Sequence, residues 1–311
     1  MRDLETFLTT LYVMADDFCQ SHPDVDEKPV IGRPQSLQCS EIITLALFGQ
    51  WAQFQSERAF YRYAQDHLLA AFPDLPDRGQ FNRLIRAHRN AITVFGLHLV
   101  QLMQAQNCAY EVLDSTGVKT RDAKRRGTGW LAGQADIGWS TRLGWYEGFH
   151  VLLSVNPVGV ITGFGFGPAS THDQPLASTF FAARAEPCPR LPSCGLPAHG
   201  CYVADKGFAG DQPRLQWQAE SSACVLTPPH QSSKQERWPK ALRRWFAGIR
   251  QIIETVNDKL LNTFRLARER AHDLTGFQAR LAAKVALHNF CLWFNQHLGR
   301  PLLAFADLIE W

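Results

Sequence analysis

Apolar residues recur at helical spacing in the first part of the chain. In SEIITLALFGQW, Ile43, Leu47 and Trp51 fall four residues apart, so they share one face of a helix. Ser36 or Ser40 is predicted to cap its start, because a serine side chain accepts hydrogen bonds from the first helical amides. The next helix is predicted in SERAFYRYAQDHLLAAF, and the prolines of PDLPD end it, since proline cannot continue a helix.

A third helix is predicted from about residue 79 to residue 104. Its apolar stripe comprises Phe81, Leu84, Ile85, His88, Ile92, Phe95, Leu99 and Leu102. His88 and His98 are therefore predicted to lie on or beside a packed face rather than to bind a metal. Residues 1–105 are predicted to form an all-helical domain.

The pattern changes after residue 105, where short apolar runs alternate with helical segments. Strands are predicted in CAYEVLDS, GWYEGFHVLLSVN, GVITGFGFGPAS, CYVAD and ACVLTPP. One helix is predicted to begin near Asp173 and another to cover QPRLQWQAE. This alternation predicts a mixed α/β domain over residues 106–311.

Two long helices are predicted after these strands. The first runs from about Lys240 to Arg270, with a buried face made by Ile249, Ile253, Val256, Leu260 and Phe264. The second is predicted to close the core with Phe277, Leu281, Val285, His288 and Leu292 at helical spacing.

The composition suits a globular protein of one or two domains. The chain has 311 residues, of which 45% are hydrophobic, and this content is sufficient for a packed core. Its apolar runs fall short of the roughly 20 residues that a membrane-spanning helix needs. The acids in MRDLETFLTTLYVMADDF are unlike a signal peptide, so a cytoplasmic protein is predicted.

The eight cysteines show no paired C-x-x-C spacing, which favours reduced thiols over a disulfide framework. Cys188, Cys194, His199 and Cys201 are the group that most resembles a zinc site, but their spacings fit no common zinc motif. Ordinary thiols in a loop rich in proline and glycine are the favoured interpretation.

Basic residues are concentrated in two segments, although the net charge is only +3. One segment is KTRDAKRR, residues 119–126. In the other, from Lys234 to Arg270, ten basic residues outnumber four acids. A charge run is most often a solvated face, but two runs that flank candidate acidic site residues favour a polyanionic partner.

Three carboxylates are the candidates for chemistry. Asp114 is predicted to end the first strand of the α/β part, Asp205 ends the fourth, and Glu254 lies within the long basic helix. Converging carboxylates suit Mg²⁺, which prefers oxygen ligands, and two such ions about 4 Å apart can support phosphoryl transfer. Each acid also has an ordinary interpretation: an aspartate at a strand end often caps a turn, and Glu254 can pair with Arg250 one helical turn away.

The order of Asp114, Asp205 and Glu254, in the contexts VLDS, VADKGF and IRQIIETV, resembles the DDE transposases of bacterial insertion sequences. The second context is similar to that family's D-K-G-Y/F segment, and the third resembles its R-x-x-x-E helix, with Arg250 as the arginine. GWYEGFHVLL and GPASTHD are similar to the family's G-F-K-L strand and P-G-x-x-H-D turn. LYVMADDFC, LQCSEIITLALF and FPDLPDRGQFNRL resemble the helical front region of one subgroup. The resemblance spans nearly the whole chain and implies an RNase H-like catalytic domain, with a mixed sheet and flanking helices.

The chain departs from the family pattern at positions associated with DNA contacts. Ala247 and Leu261 stand where related elements carry a tyrosine and a lysine, and Phe246 and Lys259 lie nearby. His150 stands in place of the lysine of the G-F-K strand. These differences leave the fit to terminal bases open.

The resemblance implies that Asp114, Asp205 and Glu254 bind two Mg²⁺ ions, for which Mn²⁺ is a possible substitute. With these ions the enzyme would cut one strand at each element end, and the freed 3′-hydroxyl would attack target DNA. The implied partners are double-stranded DNA, as terminal inverted repeats and as target, and a second copy of the chain in a homodimer. Residues 1–105 would bind the element ends, and the implied location is the cytoplasm, at the bacterial nucleoid.

The same resemblance implies a set of DNA contacts. The candidates are Lys119, Arg121, Lys124, Arg125, Arg126, His150, His172, Lys206, Arg250 and Lys259. Lys206 is either a phosphate contact or a surface charge, and Asp173 is interpreted as a helix cap. Trp130 and Trp139 follow the basic segment. They either stack on an unpaired base or lie in the core beside a solvated basic loop, whereas Trp145 is predicted to lie in the core.

Two other functions remain open from the sequence. One is a regulator derived from a transposase, which binds DNA but does not cut it. The other is an RNase H-like nuclease that cuts strands without joining them.

Overall fold

The computed structural model describes residues 2–25, 35–122, 131, 133–185, 200–229 and 238–311. Within these ranges the α-helices are α1 (Leu4–Ser21), α2 (Cys39–Phe48), α3 (Glu57–His67), α4 (Arg78–Ala87), α5 (Arg89–Leu102), α6 (Asp173–Ala185), α7 (Asp211–Ser221), α8 (Lys240–Asp258) and α9 (Leu274–His297). The strands are β1 (Arg2–Asp3), β2 (Tyr110–Asp122), β3 (Asp136–Ser140), β4 (Gly144–Val155), β5 (Ile161–Pro168), β6 (Gly200–Ala204), β7 (Ala223–Leu226) and β8 (Ile309–Glu310). None of the helices in these ranges is both long and apolar enough to cross a lipid bilayer.

The chain folds into two compact units, and each unit is made of segments that are not contiguous in the sequence. The first contains residues 1–99, 262–266 and 272–311, and the second contains residues 100–261 and 267–271. The pattern of the sequence divides the chain once, at residue 105, and groups the C-terminal helices with the sheet. In the structure the C-terminal residues instead complete the helical unit.

Helix α9 is the interior element of the first unit. Most of its residues are buried, on every side of the helix. The ring of Phe7 on α1 packs edge-on against Phe290 and Phe294, with centroids 5.2 and 5.5 Å away. A helix that is buried on all sides must be surrounded by other elements, and its neighbours include α1, α2, α4 and α5.

The starts of these helices follow ordinary capping chemistry. The side chains of Ser56 and Asp77 accept amide hydrogen bonds at the starts of α3 and α4. At α2 the predicted serine caps are wrong, since Gln38 is the N-cap and forms a capping box with Glu41. Ser40 lies inside the helix and is buried.

Two predicted helices are interrupted. The segment from residue 79 to 104 forms α4 and α5, which meet at His88, a buried residue whose amide caps α4. The helix predicted to reach Arg270 ends at Asp258 and continues as a π-helical turn, Lys259–Thr263, and a short 3-10 turn, Leu266–Arg268. Of its predicted buried face, Ile253, Val256, Leu260 and Phe264 are buried, and Ile249 is half-buried.

The second unit is built on one mixed sheet with strand order β3-β4-β2-β6-β7. Strand β2 is antiparallel to β4 and parallel to β6, which is parallel to β7. Strands β3 and β5 share one edge of β4, since β3 pairs with residues 144–148 and β5 with residues 149–155. Strand β3 was not predicted, because its five residues lie beyond the basic segment and carry only a weak apolar pattern.

A core lies between this sheet and helices α6 and α7. Leu152 from β4, Phe181 from α6, Tyr202 from β6 and Trp217 from α7 are among its fully buried side chains. The mixed α/β fold predicted from the sequence, an RNase H-like sheet with flanking helices that is preceded by N-terminal helices, is therefore confirmed. The two-residue pair of β1 and β8 is a small addition to the helical unit.

Candidate active site

Two carboxylates come together where the parallel pairing of β2 and β6 ends. The last paired residues are Leu113 and Ala204, and the next residues along the two strands are Asp114 and Asp205. Because neighbouring strands lie about 4.8 Å apart, this register brings the two aspartates side by side.

The prediction that Asp114 ends its strand is wrong. Strand β2 continues to Asp122, still paired with β4, whereas β6 stops at Ala204. The site therefore lies where a short strand ends beside the middle of a long one.

Asp114 is enclosed and has cationic and amide partners. Its side chain is 18% exposed, and the Arg250 guanidinium lies 3.4 Å from its Oδ1. The Asn257 side-chain amide donates a 3.1 Å hydrogen bond to its Oδ2. Burial raises the pKa of the Asp114 carboxyl to about 7, Arg250 opposes the rise, and the charges of Asp205 and Asp173 add to it. Burial therefore makes ionisation of Asp114 unfavourable. A cation beside it, in addition to Arg250, would favour the ionised carboxylate.

Asp205 is held by the turn that follows β6. It is the N-cap of a 3-10 turn, Lys206–Phe208, and its Oδ1 accepts a 2.7 Å hydrogen bond from the Gly207 amide. Lys206 is exposed. The carboxylate thus has one oxygen fixed by the backbone while the neighbouring lysine points its charge toward solvent.

Glu254 lies on the helix face that contacts Asp114, but its side chain is exposed. It follows Arg250 by four residues and precedes Asn257 by three, and residues at those spacings share one face of a helix. Its interpretation as the ion-pair partner of Arg250 does not hold here, since the ion pair of Arg250 is with Asp114.

A third aspartate stands near the pair. Asp173 is the first residue of α6, and its Oδ1 accepts a 2.5 Å hydrogen bond from the Ser115 hydroxyl. The same oxygen lies 3.7 Å from Nε2 of His150. Nδ1 of His150 lies 2.8 Å from the Thr171 carbonyl, which can only accept, so Nδ1 carries a proton. Asp173 was interpreted from the sequence as a helix cap alone, and its contacts with β2 and β4 were missed.

Ser115 and Asn257 were also missed as members of the site. Asn257 had a detectable signal, because it lies at helical spacing from both Arg250 and Glu254. Ser115 had a weaker one, its position directly after Asp114. The partner of Ser115 is 58 residues away along the chain, so this contact was not predictable from local spacing.

The predicted DNA contacts are spread over several elements. Lys119 and Arg121 lie on β2, His172 is exposed just before α6, and Lys259 follows α8 directly. Lys124, Arg125, Arg126 and Trp130 lie outside the described residues.

The hairpin of β3 and β4 exposes two tryptophans. Trp139 and Trp145 are directly opposite each other in the register and are 59% and 69% exposed. The prediction that Trp145 lies in the core is wrong, because its side of the hairpin is open to solvent.

The donor set fits a hard divalent cation only in part. Asp114 and Asp205 offer adjacent carboxylate oxygens, the ligand type that Mg²⁺ prefers. Among the described residues, however, no three His, Cys, Asp or Glu side chains are grouped as metal ligands. Cys201 is an exposed residue of β6, and Cys188, Cys194 and His199 lie outside the described residues.

Comparison with protein-family models identifies a family for this chain. A family model described as a transposase DDE domain matches residues 112–290, which is more than half of the chain. The matched segment includes Asp114, Asp173, Asp205 and Glu254. Comparison with curated proteins finds no match.

Proposed function

Because the chain belongs to the transposase DDE domain family, we propose that it cuts DNA at the ends of a bacterial insertion sequence and joins them to target DNA. The single observation that carries the proposal is the register that brings Asp114 beside Asp205. Family membership alone supports a transposase that acts on DNA.

Asp114 and Asp205 would hold divalent ions, with Mg²⁺ as the proposed species and Mn²⁺ as its substitute. Members of this family generally use divalent metal ions. Such ions, when bound, lower the pKa of an attacking water or hydroxyl and stabilise the leaving oxygen. The protein contributes the two carboxylates and fixes them through the Gly207 amide and the Asn257 amide.

Glu254 is proposed as the third acidic ligand of the site. The support is its position on the face of α8 that also presents Arg250 and Asn257 to Asp114. Arg250 is proposed to shift from Asp114 to a DNA phosphate when cations occupy the site, because an arginine can bind a phosphate through two parallel hydrogen bonds.

The other contacts to DNA are proposed from charge and exposure. Lys206 and His172 are exposed beside the carboxylates, and Lys119 and Arg121 lie on the extension of β2. These groups would position the strand without reading its sequence. The first 105 residues would bind the terminal inverted repeats, and a homodimer would hold both ends.

The test is cleavage and strand transfer on a labelled duplex that carries the host element's end. Wild type is compared with Asp205→Ala in Mg²⁺, in Mn²⁺ and in EDTA. We expect metal-dependent cutting and joined products from wild type, and a loss of about 100- to 1000-fold in the variant, the range seen when a group that stabilises transition-state charge is removed. Asp211→Asn, which removes an exposed carboxylate of α7, is the matched control and should remain active.

Other outcomes of the same assay would support a different function or refute the site. Binding of the end without metal-dependent cutting by wild type would indicate a DNA-binding regulator derived from a transposase. Cutting without joined products would indicate an RNase H-like nuclease. Equal cutting by wild type and Asp205→Ala would refute the proposed site.

A further inference from the structure

The first turn of α6 contacts both segments that carry the paired aspartates. On one side, Asp173 Oδ1 accepts the 2.5 Å hydrogen bond from Ser115, the residue that follows Asp114 on β2. On the other side, its Oδ2 lies against Gly207, two residues after Asp205. The Asp173 carboxylate therefore bridges β2 and the turn that follows β6.

The contact with Gly207 is close enough to exclude any side chain there. A Cβ built on Gly207 would overlap Asp173 Oδ2 and would also press on Asp205 Oδ1. The carboxylate of Asp173 thus occupies the space that a side chain would fill. This gives a physical reason for the glycine of the D-K-G segment.

The neighbouring residue of α6 strengthens the same contact. Gln174 Nε2 donates a 2.7 Å hydrogen bond to the carbonyl of Ala209, at the end of the turn that Asp205 begins. Asp173 also faces His150 on β4 at 3.7 Å. The start of α6 is therefore tied to β2, to β4 and to the turn after β6.

We propose that Asp173 is a positioning residue that fixes the Asp114 and Asp205 carboxylates relative to each other. It acts through Ser115 on one side and through Gly207 on the other, and it does not itself contact the reacting atoms. This inference rests on the proposed function, since it assigns Asp173 a part in the same site.

Two substitutions of Asp173 distinguish the contribution of its size and hydrogen bond from the contribution of its negative charge. Asp173→Asn keeps an oxygen that accepts from Ser115 and a group of similar size against Gly207, but it removes the negative charge. Asp173→Ala removes both contacts. If Asp173 acts by position, the Asp173→Asn variant should behave like wild type and Asp173→Ala should not. If it acts through its charge, both variants should be impaired.

The first experiment measures amide hydrogen exchange in metal-free, DNA-free protein. The Gly207 amide donates to Asp205 Oδ1 at 2.7 Å, and the Phe208 and Ala209 amides donate within the same turn at 3.3 and 3.1 Å. We expect these amides to exchange at least about tenfold faster in Asp173→Ala, because a turn that loses its support opens more often. Exchange in Asp173→Asn should match wild type. Unchanged exchange in Asp173→Ala, or equally fast exchange in Asp173→Asn, would overturn the proposal.

The second experiment measures the rate of end cleavage at saturating DNA. Asp173→Ala should be slower by roughly 100-fold, the effect expected from a displacement of about 1 Å in a catalytic group, while Asp173→Asn should stay within about threefold of wild type. Ser115→Ala should be slowed and should add little to Asp173→Ala in the double variant, since both remove the same bridge. Asp211→Asn, at the first residue of α7 and 75% exposed in its side chain, is the matched control. Additive losses in the double variant would contradict the bridge.

The two experiments keep this inference separate from the proposed function. If wild type cuts no DNA, the proposed function fails and the exchange measurement alone decides whether Asp173 holds the turn. If Asp173→Ala does not fold, as judged by circular dichroism, Ser115→Ala takes its place, because that change removes one hydroxyl only. Normal exchange and normal cleavage in Ser115→Ala would then count against the proposal.

Discussion

At the scale of single residues, the surroundings of Asp114 both oppose and support its charge. Burial favours the protonated acid, and the Arg250 guanidinium and the Asn257 amide favour the carboxylate. Asn257 is itself 8% exposed, and among the described residues its Oδ1 has no hydrogen-bond partner. The hydrogen bond that its side-chain amide donates to Asp114 Oδ2 therefore orients this side chain.

Replacement of Asn257 tests this support. Asn257→Ala should lower the free energy of unfolding by about 1–2 kcal/mol at pH 8, because Asp114 loses a donor while it remains buried. End cleavage should fall as well, since the carboxylate is no longer oriented. Urea denaturation measures the first effect, and the cleavage assay measures the second.

Gln251→Ala is the control for this substitution, because Gln251 is an exposed residue of the same helix. It should change stability by less than about 0.5 kcal/mol. An Asn257→Ala protein that is as stable and as active as this control would show that the bond to Asp114 contributes nothing.

At the scale of elements, α6 is fixed at both of its ends. Asp173 ties its start to β2 and to the turn after β6. Arg184, near its end, forms an ion pair of 2.8 Å with Glu111, also on β2. Both partners are largely buried, with Glu111 8% and Arg184 7% exposed. Ser154 also donates to Glu111, and the Arg184 guanidinium lies over the Phe180 and Tyr202 rings. The helix is thus aligned with β2, so the position of Asp173 depends on the whole element.

The ion pair makes a prediction about stability. Glu111→Gln should lower the free energy of unfolding by about 3–5 kcal/mol at pH 7, because it leaves a buried guanidinium without its counter-charge. Urea denaturation provides the measurement. Glu220→Gln, an exposed acid on α7, should have almost no effect.

The same pair sets a pH dependence. Burial opposes ionisation of Glu111, but the Arg184 charge and hydrogen bonds prevail, so its pKa is lowered from the ordinary 4.5. An acid with a lowered pKa in the folded state stabilises the protein above pH 4.5, and this contribution is lost as the pH falls through the folded pKa. The stability gap between wild type and Glu111→Gln should therefore narrow below pH 4.5. A gap that is constant from pH 7 to pH 3 would contradict this linkage.

Much of this element structure was predictable because its signals are local. Apolar periodicity predicted α9, helices were predicted at α6 and α7, and the alternation of strands and helices predicted a mixed α/β domain. The family resemblance implied the mixed sheet. The length of β2 was not predictable, since its last residues are polar and basic and lie in the sheet because they pair with β4. The contacts of Ser115 with Asp173 and of Asn257 with Asp114 span 58 and 143 residues, and no local pattern encodes such pairs.

At the scale of the whole molecule, the helical unit is assembled from both ends of the described chain. Helices α1 to α5 lie in its first 102 residues, and α9 begins at Leu274. The sequence showed that α9 is helical and apolar, but an apolar helix does not specify its neighbours. The observed partners of α9 lie in α1, α2, α4 and α5. Phe7 of α1 packs on it, and the Gln50 side chain, just after α2, accepts a hydrogen bond from Lys284.

Removal of the C-terminal residues tests this organisation. A chain that ends at residue 271 keeps every residue of the second unit but loses α9. We expect amides in α1 to α5 to lose most of their protection from hydrogen exchange, because the apolar surfaces that α9 covers lose their partner. Protection in β2, β4 and β6 should persist. Protected amides in α1 and α2 would show that these helices form a core without α9.

The late position of α9 has a consequence for synthesis of the protein. Roughly 170 residues separate the end of α5 from the start of α9, and at about 5–20 residues per second the ribosome needs roughly 10–30 s to make them. During that interval the sheet of the second unit can be completed while the first five helices still expose the apolar surfaces that α9 will cover. The nascent chain is therefore a substrate for chaperones that bind exposed apolar segments. A chain whose synthesis stops before α9 would contain a folded sheet joined to helices whose apolar surfaces stay exposed.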